Sequence, residues 1–198
     1  MVPPIISNSY GECVIMFHNI VRERMIKLTI ESVKAHFKQW NREADVMEFE
    51  TTSATVEQAA ETIGVEPAQI AKTLSFRGEE DKAILIVAAG DAKIDNKKFR
   101  QEFGFKARML TPDEVVEQTG HVVGGVCPFG LKNKIVVYLD VSMKRFDTLF
   151  PACGSTNSAI ELTCDEIFQY SFATKWVDVC KSWEVDSLSG VEPIKNAL

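Results

Sequence analysis

The run Ala83–Ala89 (AILIVAA) constrains the fold of this chain more than any other stretch. An uninterrupted apolar run of this length is typical of a β-strand that is buried on both faces of its sheet. Segments with helical and with strand character alternate along the rest of the chain. We therefore expect one α/β domain built around a mixed sheet.

Helices are predicted where apolar residues recur at helical spacing or where capping residues mark a start. Thr55, Asp95, Thr111 and Thr163 are the predicted N-terminal caps, and glycines follow three of these helices. An amphipathic helix is predicted through Ile30, Val33, Phe37 and Trp40, and a short helix from Pro67 through Ile70 and Ala71.

The remaining apolar stretches are predicted as strands. Besides Ala83–Ala89 these are Val14–Phe17, Val46–Phe49, Lys72–Phe76, Ala107–Leu110, Ile135–Leu139, Ala159–Leu162 and Trp176–Val179. We expect an N-terminal extension over residues 1–24, the domain over 25–183 and a frayed polar tail over 184–198.

Composition excludes several functional classes. The 198 residues are 45% hydrophobic and carry a net charge of −6, which argues against a general nucleic-acid binder. The five cysteines form no C-x-x-C pair and the three histidines are scattered, so we expect no metal and no cofactor. Reduced thiols and the lack of a membrane-length apolar run predict a cytoplasmic protein without a membrane partner.

Two turn-rich loops and one lysine could meet in space. Residues 124–130 (GGVCPFG) combine three glycines with Pro128, a composition that can point backbone N–H groups at a carbonyl or phosphate. Residues 151–157 (PACGSTN) form the second loop. Lys72 lies at the head of a predicted strand and is either a fixed cation for substrate or a lysine whose stem covers apolar surface.

Cys127 and His121 raise a second possibility, a nucleophilic thiol with its base. Six residues across a loop fix no geometry, so small buried thiols are the competing interpretation for Cys127 and Cys153. Ser155 lacks the G-x-S-x-G context of a hydrolase elbow. Asp140 and Glu161 are either a pair in a site or solvated carboxylates and caps.

Residues 91–108 reverse the acidic character of the chain, with six basic and three acidic side chains. Lys97, Lys98 and Arg100 are the candidate contacts to a phosphate backbone. A solvated helix face is the alternative interpretation of the same residues.

Taken in order, several of these motifs resemble the YbaK/EbsC family. They are residues 53–60 (SATVEQAA), residues 70–74 (IAKTL), the buried strand followed by Gly90-Asp91, and residues 124–130. Members of that family are freestanding aminoacyl-tRNA deacylases related to the editing domain of bacterial prolyl-tRNA synthetases. The resemblance covers about residues 28–180 and implies a compact domain with a partly barrel-like mixed sheet surrounded by helices.

The resemblance also implies roles for individual residues. Lys72, Gly124 and Gly125 fall on the catalytic positions of the family. The implied substrate-binding residues are Val126, Cys127, Pro128, Phe129, Ala152, Cys153, Gly154 and Ser155. The second loop departs from the Gly/Arg-rich loop of YbaK, which leaves the amino acid that is recognised open.

The implied activity is hydrolysis of the ester of a mischarged tRNA, typically cysteine or alanine on proline tRNA, with prolyl-tRNA synthetase as a potential partner. An aminoacyl ester is already activated, so loop N–H groups, Lys72 and water suffice for its hydrolysis without a strong nucleophile. A catalytically silent relative that binds an aminoacyl or nucleotide ligand is the competing hypothesis. The sequence leaves the oligomeric state open.

Overall fold

The apolar run Ala83–Ala89 forms strand β3, and all seven of its side chains are buried. The computed structural model describes residues 27–53 and 55–183. The predicted strand Val14–Phe17, the N-terminal extension and the C-terminal tail lie outside the described residues.

Five α-helices and ten strands make up the described fold. The helices are α1 (residues 27–37), α2 (Val56–Ile63), α3 (Asn96–Phe103), α4 (Pro112–Thr119) and α5 (Cys164–Tyr170). The strands are β1 (Met47–Glu48), β2 (Ile70–Arg77), β3 (Ala83–Ala89), β4 (Lys93–Ile94), β5 (Val136–Asp140), β6 (Thr148–Pro151), β7 (Ser158–Ala159), β8 (Leu162–Thr163), β9 (Lys175–Val177) and β10 (Cys180–Lys181).

Six of the strands form one mixed sheet in the order β8-β6-β2-β3-β5-β9. Strands β2 and β3 are an antiparallel pair at its centre, while β6 runs parallel to β2 and β5 runs parallel to β3. The sheet curls into a half barrel with helices around it, which confirms the predicted α/β fold. The short pairs β1–β7 and β4–β10 lie outside this sheet.

The register of the central strands decides what lies near Lys72. Lys72 is opposite Ala88, so the start of β2 adjoins the end of β3 and the turn after it. Ile70 is opposite Phe150 of the parallel strand β6. The chain therefore leaves β6 beside the start of β2, which brings residues 152–157 to the same edge of the sheet.

Helices cover the sheet through large buried side chains. Phe37 of α1, Phe99 of α3 and Ile167 of α5 are fully buried in the main core cluster. Helix α2 packs through Ala60 in a smaller cluster with Ile70. Burying a side chain of the size of Phe or Ile contributes about 1.5–3 kcal/mol, so these contacts hold the helices against the sheet.

The predicted caps are confirmed. The side-chain oxygens of Thr55, Asp95, Thr111 and Thr163 each accept a hydrogen bond from a backbone N–H in the first turn of the following helix. Such caps satisfy donors that the helix itself leaves unpaired.

The predicted bounds of three other elements are wrong. Only Pro67–Gln69 is helical before β2, because Ile70 and Ala71 pair with β6 and open the strand. The segment 107–110 makes a single bridge, from Met109 to Phe76, instead of a strand. The predicted strand Ala159–Leu162 is divided between β7 and β8, which pair with different partners.

Candidate active site

A cavity of about 500 Å³ opens along strand β2. Its walls come from β2, helix α2, the start of α4, the loop around Gly124 and the loop after β6. Most of the lining is apolar, and Lys72 is the charged side chain among the lining residues. An apolar cavity of this size with a few polar groups is the usual form of a small-molecule site.

The ammonium of Lys72 is held at the wall of this cavity. Its Nζ donates a hydrogen bond to the carbonyl oxygen of Gly90 at 2.8 Å, and the side chain is half-buried. Burial lowers the pKa of Lys72, since a charged amine loses hydration there, while Asp91 acts in the opposite direction. A cation with a fixed position and reduced hydration can act strongly on a developing negative charge.

Residues 124–130, here called the Gly/Pro loop, contact the second loop, residues 151–157, through their glycines. Gly124 has a φ of +91°, and a Cβ there would lie 2.7 Å from Cγ2 of Thr156. A Cβ on Gly125 would lie 2.5 Å from Cα of Ser155. At Gly125 the two loop backbones approach so closely that only glycine fits, whereas at Gly124 the positive φ and the Thr156 methyl group favour glycine.

Two backbone N–H groups of the Gly/Pro loop are already hydrogen-bonded within the protein. The N–H of Gly125 donates to the carbonyl of Val122 at 3.0 Å, and the N–H of Cys127 donates to Nδ1 of His121 at 3.3 Å. Gly124 and Val126 are the members of the predicted loop set that line the cavity.

The second loop is fixed by its own polar side chains. The Oγ of Ser155 lies 2.8 Å from Oδ1 of Asn157 and 2.7 Å from Oγ of Ser158. The side-chain amide of Asn157 donates to the carbonyl of Phe49 at 2.8 Å, beside β1. Ala152 and Ser155 line the cavity as predicted members of this loop.

Other predicted substrate-binding residues lie behind the cavity wall. Cys127, Pro128, Phe129, Cys153 and Gly154 are all buried, and none of them is among the lining residues. Their part in binding substrate stays a prediction, and in the structure they form the buried part of the two loops.

Cys127 and His121 do lie side by side, with Sγ and Nδ1 3.7 Å apart. Burial raises the pKa of the Cys127 thiol to about 12 and lowers the pKa of His121 to about 4. Nδ1 already accepts the backbone N–H of Cys127, which indicates a neutral imidazole protonated on Nε2. Both shifts oppose the thiolate–imidazolium pair that a nucleophilic cysteine requires.

The three predicted tRNA contacts are on helix α3, away from the cavity lining. Lys97 and Arg100 are exposed. Lys98 instead forms an ion pair with Asp178 at 2.8 Å and donates to the carbonyl of Cys180 at 3.1 Å. The structure therefore leaves Lys97 and Arg100 as the more accessible cations of this segment.

Asp140 and Glu161 do not form a pair. The carboxylate of Asp140 is fully buried and accepts the N–H groups of Ser142 and Val179 at 3.0 and 2.9 Å. Glu161 is exposed and accepts from the Thr148 hydroxyl at 2.9 Å. Asp140 is a cap of the turn Val141–Arg145, one of the alternatives that its sequence context allowed.

Sequence patterns missed several lining residues. Met109 and Val123 are 59% and 57% exposed at the cavity, which is unusual for large apolar side chains. Thr73, on β2, also lines it. Met109 and Val123 occur outside the quoted motifs, and Thr73 lies within the motif 70–74, but nothing in the sequence shows that these side chains face the cavity.

Neither a metal-binding cluster nor a membrane-spanning helix occurs in the described part of the chain. Among these residues, no three His, Cys, Asp or Glu side chains are grouped to hold a metal ion; Cys13 and His18 lie outside this part. Within residues 27–53 and 55–183, no helix has the length and apolar character needed to cross a bilayer.

Comparison with known proteins identifies the family. The aminoacyl-tRNA editing domain matches residues 50–170. The uncharacterized protein YwhH of Bacillus subtilis is 71% identical over 157 residues, which cover 79% of this chain and all of YwhH. EbsC of Enterococcus faecalis, a candidate Cys-tRNA(Pro)/Cys-tRNA(Cys) deacylase by name, is 29% identical over 57% of this chain and 70% of its own.

A solved structure agrees with these matches. The crystal structure of a candidate trans-editing enzyme for prolyl-tRNA synthetase has a TM-score of 0.71 and 28% identity, covering 77% of this chain and 97% of the other. The proline–tRNA ligase of Limosilactobacillus fermentum is 29% identical over 52% of this chain but only 19% of its own length. The family match spans the cavity, Lys72 and both loops, and it confirms the resemblance seen in the motifs: the chain belongs to the aminoacyl-tRNA editing domain family.

Proposed function

We propose that this protein is a hydrolase that removes a mischarged amino acid from tRNA in trans. The observation that carries the proposal is the half-buried ammonium of Lys72, which is fixed at the wall of a largely apolar cavity between the two loops. Family membership and the names of EbsC and the trans-editing neighbour support the same activity.

The reaction needs few groups from the protein. Water adds to the carbonyl carbon of the aminoacyl ester, and the carbonyl oxygen becomes a tetrahedral oxyanion. When this intermediate collapses, the bond to the ribose oxygen breaks, the ribose takes a proton, and a free amino acid and uncharged tRNA result. Lys72 and the amides of Gly124 and Val126 would stabilise the oxyanion, and one such donor is worth about 2.7–4 kcal/mol.

The substrate we propose is Cys-tRNA or Ala-tRNA for proline. The name of EbsC supports cysteine, and the name of the trans-editing neighbour supports a role beside prolyl-tRNA synthetase, while alanine comes from the family resemblance. A cavity of about 500 Å³ is larger than either small amino acid needs, so it has room for part of the terminal nucleotide as well. The residues around Lys72 and those of the second loop would then select the amino acid, and this selection would be the second sieve of editing.

A panel of mischarged tRNAs tests the proposal. We expect deacylation of Cys-tRNA and Ala-tRNA for proline above the buffer rate, and no deacylation of correctly charged Pro-tRNA. Lys72→Ala is the inactive comparison, and Lys82→Ala is its matched control, because Lys82 is highly exposed and pairs with Glu80 at 2.6 Å. Binding of these tRNAs without turnover of any of them would favour a silent binding protein.

The proposal also includes the location of the protein in the cell and its partner protein. Hydrolysis in trans places the protein where tRNA is charged, which for a bacterial relative is the cytoplasm. Prolyl-tRNA synthetase is the proposed partner, supported by the match to part of a proline–tRNA ligase. Addition of the synthetase should raise the deacylation rate at limiting tRNA if it delivers the substrate.

A further inference from the structure

The carbonyl that holds Lys72 belongs to a tight turn. The N–H of Ala92 donates to the carbonyl of Ala89 at 3.1 Å, so Gly90 and Asp91 are the central residues of a β-turn. The peptide between them carries the Gly90 oxygen that accepts the Lys72 ammonium. The hydrogen bond of a β-turn leaves this central peptide free, and common turn types differ mainly in its orientation.

The two central residues of the turn contribute differently to its conformation. The backbone of Gly90 lies so close to α2 and the turn before β2 that a Cβ would be 1.9 Å from the carbonyl oxygen of Pro67, so the position requires glycine. A flip of the central peptide rotates ψ of Gly90 and φ of Asp91, and it would turn the Gly90 oxygen away from Lys72. The residue that decides this flip is Asp91, whose φ would have to become positive.

Asp91, the other central residue, is held from outside the turn. The guanidinium of Arg145 donates from Nη1 to Oδ2 of Asp91 at 3.0 Å and from Nη2 to Oδ1 at 2.6 Å. A bidentate pair of this kind fixes the carboxylate in orientation as well as position. The two residues are 54 positions apart, so the contact joins the end of β3 to the turn after β5.

Arg145 is itself fixed on its other side. Its Nε donates to the carbonyl of Ser142 at 2.9 Å, and Nη1 donates to the carbonyl of Trp183 at 2.9 Å. Ser142 belongs to the turn that the buried carboxylate of Asp140 caps. The hydroxyl of Ser142 also accepts the N–H of Ala89, the first residue of the Gly90 turn.

We propose that Asp91 and Arg145 are positioning residues for Lys72: their ion pair locks the Gly90–Asp91 peptide in the orientation that holds the ammonium at the cavity wall. The inference rests on the proposed function of Lys72 in hydrolysis. Asp91 and Arg145 lie outside the cavity lining and would act on the substrate only through Lys72.

The charges around Lys72 allow the proposal to be tested through the pKa of this lysine. The ionisable groups that act on it are Glu57 of α2, Asp91 and Lys93 after β3, and Cys180 of β10. Burial raises the pKa of the Cys180 thiol, which is therefore neutral at ordinary pH. Loss of the Asp91 carboxylate should lower the pKa of Lys72, whereas loss of Arg145 should expose Lys72 to an unpaired carboxylate and raise its pKa.

The test uses Asp91→Asn, Arg145→Gln and Arg145→Lys in the full chain. The Lys72 signal of protein labelled with ¹³C at lysine Cε, assigned with Lys72→Ala, is titrated by NMR. Single-turnover deacylation is then measured on the tRNA that the panel identifies. We expect the Lys72 titration to move to lower pH in Asp91→Asn and to higher pH in Arg145→Gln, with the rate constant about tenfold lower in both and substrate affinity within about twofold.

Arg145→Lys should recover only part of the rate, because an ammonium cannot bridge both carboxylate oxygens and the two carbonyls. Arg77→Gln is the matched control, since it breaks the Arg77–Glu114 pair at the far end of β2. It should leave the Lys72 titration and the rate unchanged.

Folded variants with an unchanged titration and a wild-type rate would overturn the proposal, and so would titrations that move in the same direction. If Arg145→Gln does not fold, Asp91→Asn and Arg145→Lys decide the question by the same criteria. If wild-type protein deacylates no tRNA in the panel, the proposed function fails, while the titration still shows whether the ion pair acts on the charge of Lys72.

Discussion

The Nδ1 atom of His121 lies 3.7 Å from the Sγ of Cys127, and both side chains are almost completely buried. In a nucleophilic pair the same distance would accompany a thiolate and an imidazolium. Here burial favours the neutral form of each group, with pKa values of about 12 and about 4. The contact between them therefore supports the loop and supplies no nucleophile.

Replacing Cys127 should consequently leave hydrolysis largely intact. We expect Cys127→Ser to keep the single-turnover rate within about threefold of wild type, because its hydroxyl can replace the thiol as a donor to the Phe129 carbonyl. Melting temperatures measured on the same samples control for lost packing. A thioester trapped on Cys127 during turnover would contradict this assignment.

Folding stability should fall in mildly acidic solution because of His121. Its pKa is about 4 in the folded protein and about 6.5 in an unfolded chain, so the unfolded chain takes up the proton first as the pH falls. Stability from this group is complete above pH 6.5 and is lost between pH 6.5 and 4. The total is about 3 kcal/mol, of which about 2 kcal/mol should be lost by pH 5.

Urea unfolding at several pH values measures this loss. Burial also lowers the pKa of His36, so both histidines contribute in the same direction. His121→Gln should be less stable at pH 7.5 but should show a flatter dependence on pH. An identical slope in this variant and in wild type would exclude His121 as the cause.

The close approach of the two loops predicts an effect of Gly124→Ala. Alanine at a φ of +91° costs about 1–2 kcal/mol, and its Cβ would also displace Thr156 from the second loop. We expect at least a tenfold loss of deacylation. Gly104→Ala is the control, because Gly104 has a similar φ of +82° but open space around it. Equal activity in the two variants would show that the loop contact does not matter.

The role of Lys72 is tested by two substitutions. Lys72→Ala should slow deacylation tenfold or more, equivalent to about 1.4 kcal/mol or more of transition-state stabilisation. Lys72→Arg should restore little, since a planar guanidinium cannot take the place of a compact ammonium in a shaped pocket. Near-normal activity in Lys72→Ala, or a loss that merely tracks unfolding, would reject the assignment.

Binding of tRNA should depend on the exposed cations of α3. We expect Lys97→Glu with Arg100→Glu to weaken tRNA binding and to reduce its dependence on salt. Lys98 is best left unchanged, because its ion pair with Asp178 would confuse a loss of binding with a loss of stability. If the variant binds tRNA with the affinity of wild type at every salt concentration, this helix face is only a solvated surface.

Local signals predicted much of the fold. The caps at Thr111 and Thr163 and the apolar run of β3 are recognisable because a few neighbouring residues determine each of them. Strand β6 was missed because Thr148–Pro151 is short and ends in proline, and its strand geometry comes from pairing with β2 and β8. Pairing with β6 likewise makes Ile70 part of β2, although the sequence predicts a helix at this residue.

The site was predictable only to the level of its motifs. Lys72 and the two loops can be recognised in the sequence, whereas the direction in which each loop residue points depends on backbone turns. Cys127 thus lies behind the wall and Val126 lines it, although they are neighbours. The pairing of Asp91 with Arg145 joins distant parts of the chain and depends on the sheet order.

The two outermost strands of the six-stranded sheet are its shortest, with two residues in β8 and three in β9. A long, flat outer strand offers unpaired N–H and C=O groups on which another chain can add and aggregate. Outer strands this short offer little such template. Strand β3, which leads into the Gly90 turn, pairs with β2 on one side and with β5 on the other, so its backbone is protected from aggregation by the neighbours that also position the site.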